Sequence, residues 1–181
     1  MRRILHIDTS YSSESSVSRI LSQEFITAWK MFHPEDAIVY RDLGHFPVPY
    51  INETWITAVH SPPESHTPET IEALRESNIL LEEFLAVDCY VFGVPMYGFT
   101  IPARLKAYLE HLIRVGCTYE VSKNGVRGLV HGKKLCSSQV VAVTILQVLP
   151  LERIIKNRIC ERFFRHLGSQ ISSLSMRVIW S

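Results

Sequence analysis

Six serines occupy a ten-residue stretch near the start of the chain, residues 9–18, and serine hydroxyls can donate to phosphate oxygens. An apolar run, Arg3–Asp8, precedes the stretch and an amphipathic run, Val17–Phe32, follows it. A strand leading into a helix here puts the serines at the helix N-terminus, where free N–H groups and the helix dipole favour an anion. A solvated turn with a serine helix cap explains them equally well. The serines are Ser10, Ser12, Ser13, Ser15, Ser16 and Ser18.

A second stretch, residues 94–102, combines two aromatic side chains with a glycine in the order VPMYGFTIP. Gly98, between Tyr97 and Phe99, lets the backbone approach a ligand closely. A flat apolar ring flanked by backbone N–H groups, such as an isoalloxazine, suits this arrangement. Packing of both aromatic side chains under the following helix would also account for it.

Alternating strands and helices are predicted to position both stretches. The order β-α-β-α-β-α implies a parallel sheet covered on both faces. Ligands of such sheets bind beyond the C-terminal ends of the strands, where the loops 9–18 and 95–100 both lie. Apolar runs predict strands at 3–8, 37–40 and 88–94, and helical spacing predicts helices over 17–32, from Thr67-Pro68 to about 86, and from Ile101 to about 115. Residues 43–68 are predicted to form a long, proline-rich loop.

Length, charge and composition argue against several classes of protein. A length of 181 residues suits one domain, and a net charge of +1 provides no footprint for nucleic acid or an anionic membrane. The chain has no predicted secretory signal and no apolar run of the roughly 20 residues that span a bilayer. Its four cysteines and eight histidines lack metal-ligand spacing, so we expect reduced thiols, no metal site and a cytoplasmic location.

Residues 95–134 read PMYGFTIPARLKAYLEHLIRVGCTYEVSKNGVRGLVHGKK, and this run resembles the FMN-dependent azoreductases, also called NADH:quinone oxidoreductases. The resemblance extends over residues 2–136. It implies an α/β fold of the flavodoxin-like type, with a doubly wound parallel sheet and helices on both faces. It also implies one domain over residues 1–181, of which 1–136 follow the family and 137–181 diverge.

The resemblance also implies which residues bind the cofactor. Gly98 departs from the family, which usually has Asn there and so supplies a side-chain amide. Val126 replaces a family proline. Ser10, Ser16, Val17 and Ser18 match the residues that hold the FMN phosphate, and Met96, Tyr97, Gly98 and Phe99 match the flavin loop.

The implied reaction is a two-electron transfer in two halves. NADH or NADPH gives a hydride to FMN and leaves, and a quinone or azo compound is then reduced in the same place. The flavin carries the chemistry, so no catalytic side chain is expected. Family members are homodimers, to which Tyr50 and Trp55 of the segment 43–66 would contribute, while Glu110, His111 and Arg114 are expected on a solvated helix face. A flavodoxin-type electron carrier and an inactive remnant unable to hold FMN are the alternatives.

The resemblance ends near residue 137. The family continues with a Thr-Ser-Arg-Gly-Gly loop at the flavin, a Tyr-Gln-Glu-Pro-Tyr-Leu-Arg helix and a last strand. Shifted by one base, codons for residues 138–143, 154–162 and 167–177 can encode these three segments in order. We hypothesise a one-base deletion or its equivalent near codons 135–137, by mutation or sequencing error, which leaves the last strand and helix poorly specified and weakens FMN binding.

Resequencing the gene across codons 133–140 tests this hypothesis. We expect either one base more or fewer than the present reading, or a genuine lesion beyond which the alternate frame encodes the family segments. A confirmed DNA sequence whose alternate frames encode none of the three segments would refute the hypothesis.

Overall fold

The computed structural model describes residues 1–123 and 125–140, with the backbone alone for 134–140. The divergent tail from residue 137 onward, with the predicted last helix, therefore lies outside the described residues, apart from the end of a strand at residues 137–140. The elements are β1 Arg3–Asp8, α1 Val17–Phe32, β2 Ala37–Asp42, α2 Glu53–His60, α3 Pro68–Leu85, β3 Cys89–Pro95, α4 Ala103–Leu112, β4 Tyr119–Ser122, β5 Gly125–Gly128 and β6 Lys134–Val140.

Four of these strands form one parallel sheet in the order β2-β1-β3-β6. Asp8, at the end of β1, is level with Asp42 on one side and with Gly93 on the other. The loops that follow β1 and β3 therefore leave the sheet side by side, and the predicted position of loops 9–18 and 95–100 at the C-terminal ends of the strands is confirmed. The strand β2 is two residues longer than the predicted 37–40.

Alternate residues of the central strands pack on opposite faces of the sheet, as a period of two requires. Leu5 and Ile7 of β1 belong to the larger core, which includes Leu80 of α3 and Leu105 of α4. Ile4 packs on the other face in a smaller cluster with Ile26 of α1 and Val91 of β3. The predicted covering of both sheet faces by helices is confirmed.

Side-chain caps set the starts of the helices. The Ser16 hydroxyl accepts a hydrogen bond from the Arg19 N–H and begins α1. Thr67 and Thr70 cap α3 reciprocally, with Pro68 at the first helical position, so the predicted helix start is confirmed. The helix α4 ends at Leu112, earlier than the predicted residue 115, because the Thr118 hydroxyl donates to the Leu112 carbonyl at 2.7 Å.

The prediction of an uninterrupted loop over residues 43–68 is wrong. The Asn52 side chain accepts from the Trp55 N–H at 2.9 Å and begins α2. Trp55 is only 7% exposed and packs with Ala58 against Leu74 of α3, so it is not available for the predicted dimer contact. A helix of two turns between proline-rich flanks is too short for its periodicity to stand out.

The expectation that Glu110, His111 and Arg114 lie on a solvated helix face is also wrong for His111, which is 2% exposed. Its Nε2–H donates to the Pro49 carbonyl at 2.8 Å and so attaches the segment before α2 to α4. Arg114 donates to the Asn78 side chain at 2.5 Å, while Glu110 pairs with Lys106. The sequence reading also missed the antiparallel hairpin of β4 and β5.

Among residues 1–123 and 125–140, none of the helices has the length and apolar character that a bilayer crossing requires.

Close packing at Gly93 leads to a stability prediction. A Cβ at this position would overlap the Asp8 carboxylate and approach the Ser22 hydroxyl to 2.9 Å. We expect Gly93→Ala to lower the free energy of unfolding by about 2 kcal/mol, the usual cost of overpacking, as measured by urea denaturation. Gly98→Ala is the comparison for backbone strain without overpacking, because its Cβ would meet no atom within 4 Å and its φ of +54° costs an alanine about 1 kcal/mol. Equal unfolding midpoints for Gly93→Ala and the unmodified chain would contradict the prediction.

Candidate functional site

The loop after β1 and the loop after β3 are joined by a direct hydrogen bond. The Ser10 hydroxyl lies 3.1 Å from the Tyr97 hydroxyl, and the Tyr11 N–H donates to the same Tyr97 oxygen at 3.2 Å. The Ser12 N–H donates to the Ser10 hydroxyl at 3.2 Å. Two stretches that are 87 residues apart in sequence thus form one polar cluster.

The start of α1 supplies further donors close in sequence to this cluster. Ser16 and Ser18 are buried, and their hydroxyls lie 3.0 Å apart. The N–H groups of Val17 and Ser18 occupy the first helical turn, where no intrahelical acceptor exists. Ser16 is therefore a helix cap, in agreement with the alternative interpretation of the serine stretch. The same helix end still offers backbone N–H donors to an anion.

The loop after β3 is a tight turn from Tyr97 to Thr100. The backbone groups of these two residues exchange hydrogen bonds at 3.1 and 3.0 Å. The central residues, Gly98 and Phe99, have φ angles of +54° and +63°. A turn with two positive φ angles favours Gly and Asn, so Gly98 can replace the family's Asn without backbone strain.

Phe99 adopts the left-handed conformation without the freedom of glycine, and its side chain is 51% exposed. Such a conformation costs about 1 kcal/mol for an ordinary residue. Met96 comes just before the turn and is half-buried. The alternative interpretation, in which both aromatic residues of the loop pack under the next helix, is therefore wrong for Phe99.

Aromatic stacking orders the outer side of the cluster. The rings of Tyr11 and Tyr97 are nearly parallel, at 7°, with centroids 5.0 Å apart. The Arg104 guanidinium lies 4.5 Å from the centroid of the Tyr11 ring, within the range of a cation–π contact. Sequence reading did not single out Tyr11 or Arg104, because their contacts join separate segments of the chain.

A network of buried and half-buried polar side chains lies beneath the serine loop. Asp8 is 3% exposed and accepts hydrogen bonds from the Ser22 hydroxyl at 2.7 Å and the Tyr40 hydroxyl at 3.1 Å. Arg19 donates to Asp42 through both terminal nitrogens, at 2.9 and 2.6 Å. Sequence reading missed this network. One local feature indicates such a network: Arg19 is a cation in the first turn of α1. The helix dipole disfavours a cation there unless the cation is paired.

The pKa values in this network follow from burial and pairing. Burial alone would raise the pKa of Asp42, but hydrogen bonds from Arg19 and His45 outweigh that effect and hold it well below its ordinary value. Burial, with the neighbouring carboxylates of Asp8 and Asp42, raises the pKa of Tyr40 to about 12. At neutral pH, Asp42 therefore stays ionised and Tyr40 remains a hydrogen-bond donor to Asp8.

The donor set at this edge of the sheet fits a phosphate monoester with an attached flat ring. Ser10, Val17 and Ser18 present neutral hydroxyl and N–H donors. The carboxylate of Asp8 lies behind the loop, already bonded to Ser22 and Tyr40. A Cβ on Gly98 would meet nothing within 4 Å, so the turn faces open space. These residues are therefore compatible with the phosphate and ring of FMN.

Comparison with known proteins agrees with this geometry. A family model described as flavodoxin-like fold matches residues 2–144. The FMN-dependent NADH:quinone oxidoreductase of Nostoc punctiforme is 59% identical over 134 residues, which are 74% of this chain and 65% of that protein. The FMN-dependent NADH:quinone oxidoreductase 2 of Trichormus variabilis is 53% identical, with the same coverage of 74% and 65%. The chain thus spans 65% of the length of these two relatives.

Comparison with a solved structure also shows similarity to an azoreductase. The azoreductase of Bacillus anthracis str. Sterne superposes with a TM-score of 0.86 at 26% identity, covering 94% of this chain and 84% of that one.

Strain at Phe99 gives a prediction for this turn. Asn tolerates the left-handed conformation, so Phe99→Asn should raise the free energy of unfolding by about 0.5 kcal/mol, measured by urea denaturation. Phe46→Asn is the matched control, because Phe46 is also exposed, at 77%, but its φ is not positive. A free energy of unfolding for Phe99→Asn that does not exceed that of the unmodified chain would contradict the prediction.

Proposed function

The chain belongs to the flavodoxin-like family and is a homologue of the FMN-dependent NADH:quinone oxidoreductases, and we propose that it is itself such an enzyme. It binds FMN, takes electrons from NADH or NADPH and reduces quinones to hydroquinones, and it cleaves azo bonds reductively. The observation that carries the proposal is the hydrogen bond between Ser10 and Tyr97, because it joins the donors for a phosphate to the turn suited to a flavin ring.

The proposal gives each predicted residue a task. Ser10, Ser16 and Ser18, with the N–H of Val17, hold the phosphate at the start of α1, where the helix dipole also favours an anion. Met96, Tyr97, Gly98 and Phe99 form the turn beside the ring.

FMN, when bound, supplies the two-electron chemistry, and the protein orients its ring and shields one side of it. The acids beneath the serine loop, Asp8 and Asp42, are engaged with Tyr40 and Arg19, and Glu14 within the loop is exposed. The side chains thus bind and orient, without a proposed proton-transfer residue. Because both substrates use one open face, initial-rate kinetics should show the parallel lines of a ping-pong mechanism.

We also propose a homodimer and a single domain that includes residues 137–181. Two exposed apolar side chains of the segment before α2, Phe46 at 77% and Tyr50 at 71%, support a partner contact there. Trp55 does not contribute, since it is buried against α3. A cytoplasmic location stays a prediction.

Flavin binding and reduction in the purified full-length chain test the proposed activity. We expect the protein to take up FMN, to become yellow and to lose the flavin colour on anaerobic addition of NADH, with recovery when a quinone is added. A yellow protein that does not react with NADH or NADPH would favour an electron carrier instead. A colourless protein that takes up no added FMN would overturn the proposal in favour of an inactive remnant.

A paired substitution in the serine loop tests the predicted phosphate contact. Ser10→Ala removes a buried donor and should weaken FMN binding about tenfold, the usual effect of losing one hydrogen bond to a charged group. Ser13→Ala is the control, because Ser13 lies in the same loop but is exposed. Fluorescence titration with FMN gives both affinities. Equal FMN affinities in the two variants would remove Ser10 from the site.

A further inference from the structure

Arg19 lies in the first turn of α1, but its side chain turns back beneath the serine loop and is only 11% exposed. One terminal nitrogen, Nη2, donates to the Ser10 carbonyl at 2.7 Å and to Asp42 Oδ1 at 2.6 Å. The other, Nη1, donates to Asp42 Oδ2 at 2.9 Å and to the Tyr40 hydroxyl at 3.0 Å. The guanidinium therefore joins the end of β2 to the loop after β1.

Asp42 is itself fixed from the other side. The His45 N–H donates to Asp42 Oδ1 at 3.1 Å, and the His45 ring nitrogen Nδ1 lies 2.8 Å from Asp42 Oδ2. We call the group formed by Arg19, Asp42 and the Ser10 carbonyl the Arg19 clasp. Its two ion-pair bonds have the parallel fork geometry that arginine makes with a carboxylate and lysine does not.

The turn after β2 packs closely against the Ser10 carbonyl. A Cβ on Gly44 would overlap both the Ser10 carbonyl oxygen and Arg19 Nη2, so this position has no room for a side chain. The Ser10 carbonyl is thus held by a charged donor and enclosed by backbone. Little room remains for the serine loop to move toward the sheet.

Holding this carbonyl also orients the next N–H. A trans peptide is planar, with its C=O and N–H pointing in opposite directions. Because the Ser10 carbonyl points down to Arg19, the Tyr11 N–H points away from it, toward the Tyr97 hydroxyl at 3.2 Å. The clasp thereby directs a backbone donor to the side of the loop where Ser10 and Tyr97 meet.

We propose that the Arg19 clasp presets the Ser10–Tyr11 peptide for the phosphate of the flavin, which makes Arg19 and Asp42 positioning residues for that phosphate. The inference rests on the proposed function. Arg19 acts from behind the loop, since its terminal nitrogens are engaged by Asp42, Tyr40 and the Ser10 carbonyl. Its influence should therefore depend on whether the ligand carries a phosphate.

The test compares FMN with riboflavin, which has the same ring system without the phosphate. Arg19→Lys keeps the charge and loses the fork, so we expect FMN affinity to fall about tenfold while riboflavin affinity stays within about twofold. Fluorescence titration of each flavin against the apoprotein gives the ratio of the two affinities. A general loss of structure would lower both affinities together.

Arg41→Lys is the matched control. Arg41 precedes Asp42 in β2 and forms a similar half-buried fork with Glu83, from Nε to Oε1 at 2.9 Å and from Nη2 to Oε2 at 2.5 Å. The serine loop takes no part in that pair. We expect Arg41→Lys to leave the ratio of FMN to riboflavin affinity unchanged, even where it lowers stability.

A second variant covers the case in which Arg19→Lys does not fold, as judged by circular dichroism. Asp42→Asn keeps the size of the side chain and releases the guanidinium, and it should lower the same ratio. An unchanged ratio in the folded variants, an equal loss for both flavins, or an equal change in Arg41→Lys would overturn the inference alone. An unmodified chain that binds no FMN would overturn the proposed function, and the inference with it.

Discussion

The buried carboxylate of Asp8 is the constraint on which this edge of the sheet depends. A buried carboxyl group is costly unless hydrogen-bond partners surround it. Those partners come from two different elements, Ser22 of α1 and Tyr40 of β2. The absence of a side chain at Gly93 leaves room for the carboxylate beside β3. The hydrogen bonds and the space that this one buried side chain requires therefore constrain α1, β2 and β3 relative to β1, and with them the loop between β1 and α1.

Much of this arrangement follows from local sequence patterns. The apolar runs ending at Asp8 and near Val94 correctly predict two strands of a parallel sheet, and Thr67-Pro68 correctly predicts the start of α3. Such features need only nearby residues, because alternation and capping act over a few positions. The order of these elements predicts a parallel sheet with the loops 9–18 and 95–100 at the C-terminal ends of its strands, whereas the flavodoxin-like fold is implied by the family resemblance.

The features that sequence reading missed depend on partners far apart in the chain. The sequence pattern around His111 predicts a polar residue on an exposed helix face. In the structure, His111 is buried and donates a hydrogen bond to the carbonyl of Pro49, 62 positions away. Arg19 and Asp42 are 23 positions apart and become a pair only when β2 lies beside β1. The helix α2 is short, and packing of Trp55 on Leu74 stabilises it. Local propensity contains no information about these tertiary contacts.

The two ends of the candidate site differ in how they are held. At the end proposed for the phosphate, the Ser10 carbonyl is hydrogen-bonded to Arg19 and enclosed by the turn at Gly44, so the fold itself fixes the orientation of this peptide. At the end proposed for the ring, Phe99 has a strained backbone conformation, and its side chain is half exposed. Backbone strain persists only where the surrounding structure over-determines it, and it is concentrated at ligand sites. The hydrogen bond between Ser10 and Tyr97 connects the fixed end to the strained one, so an anion held by the serine loop would also orient the turn that faces the ring.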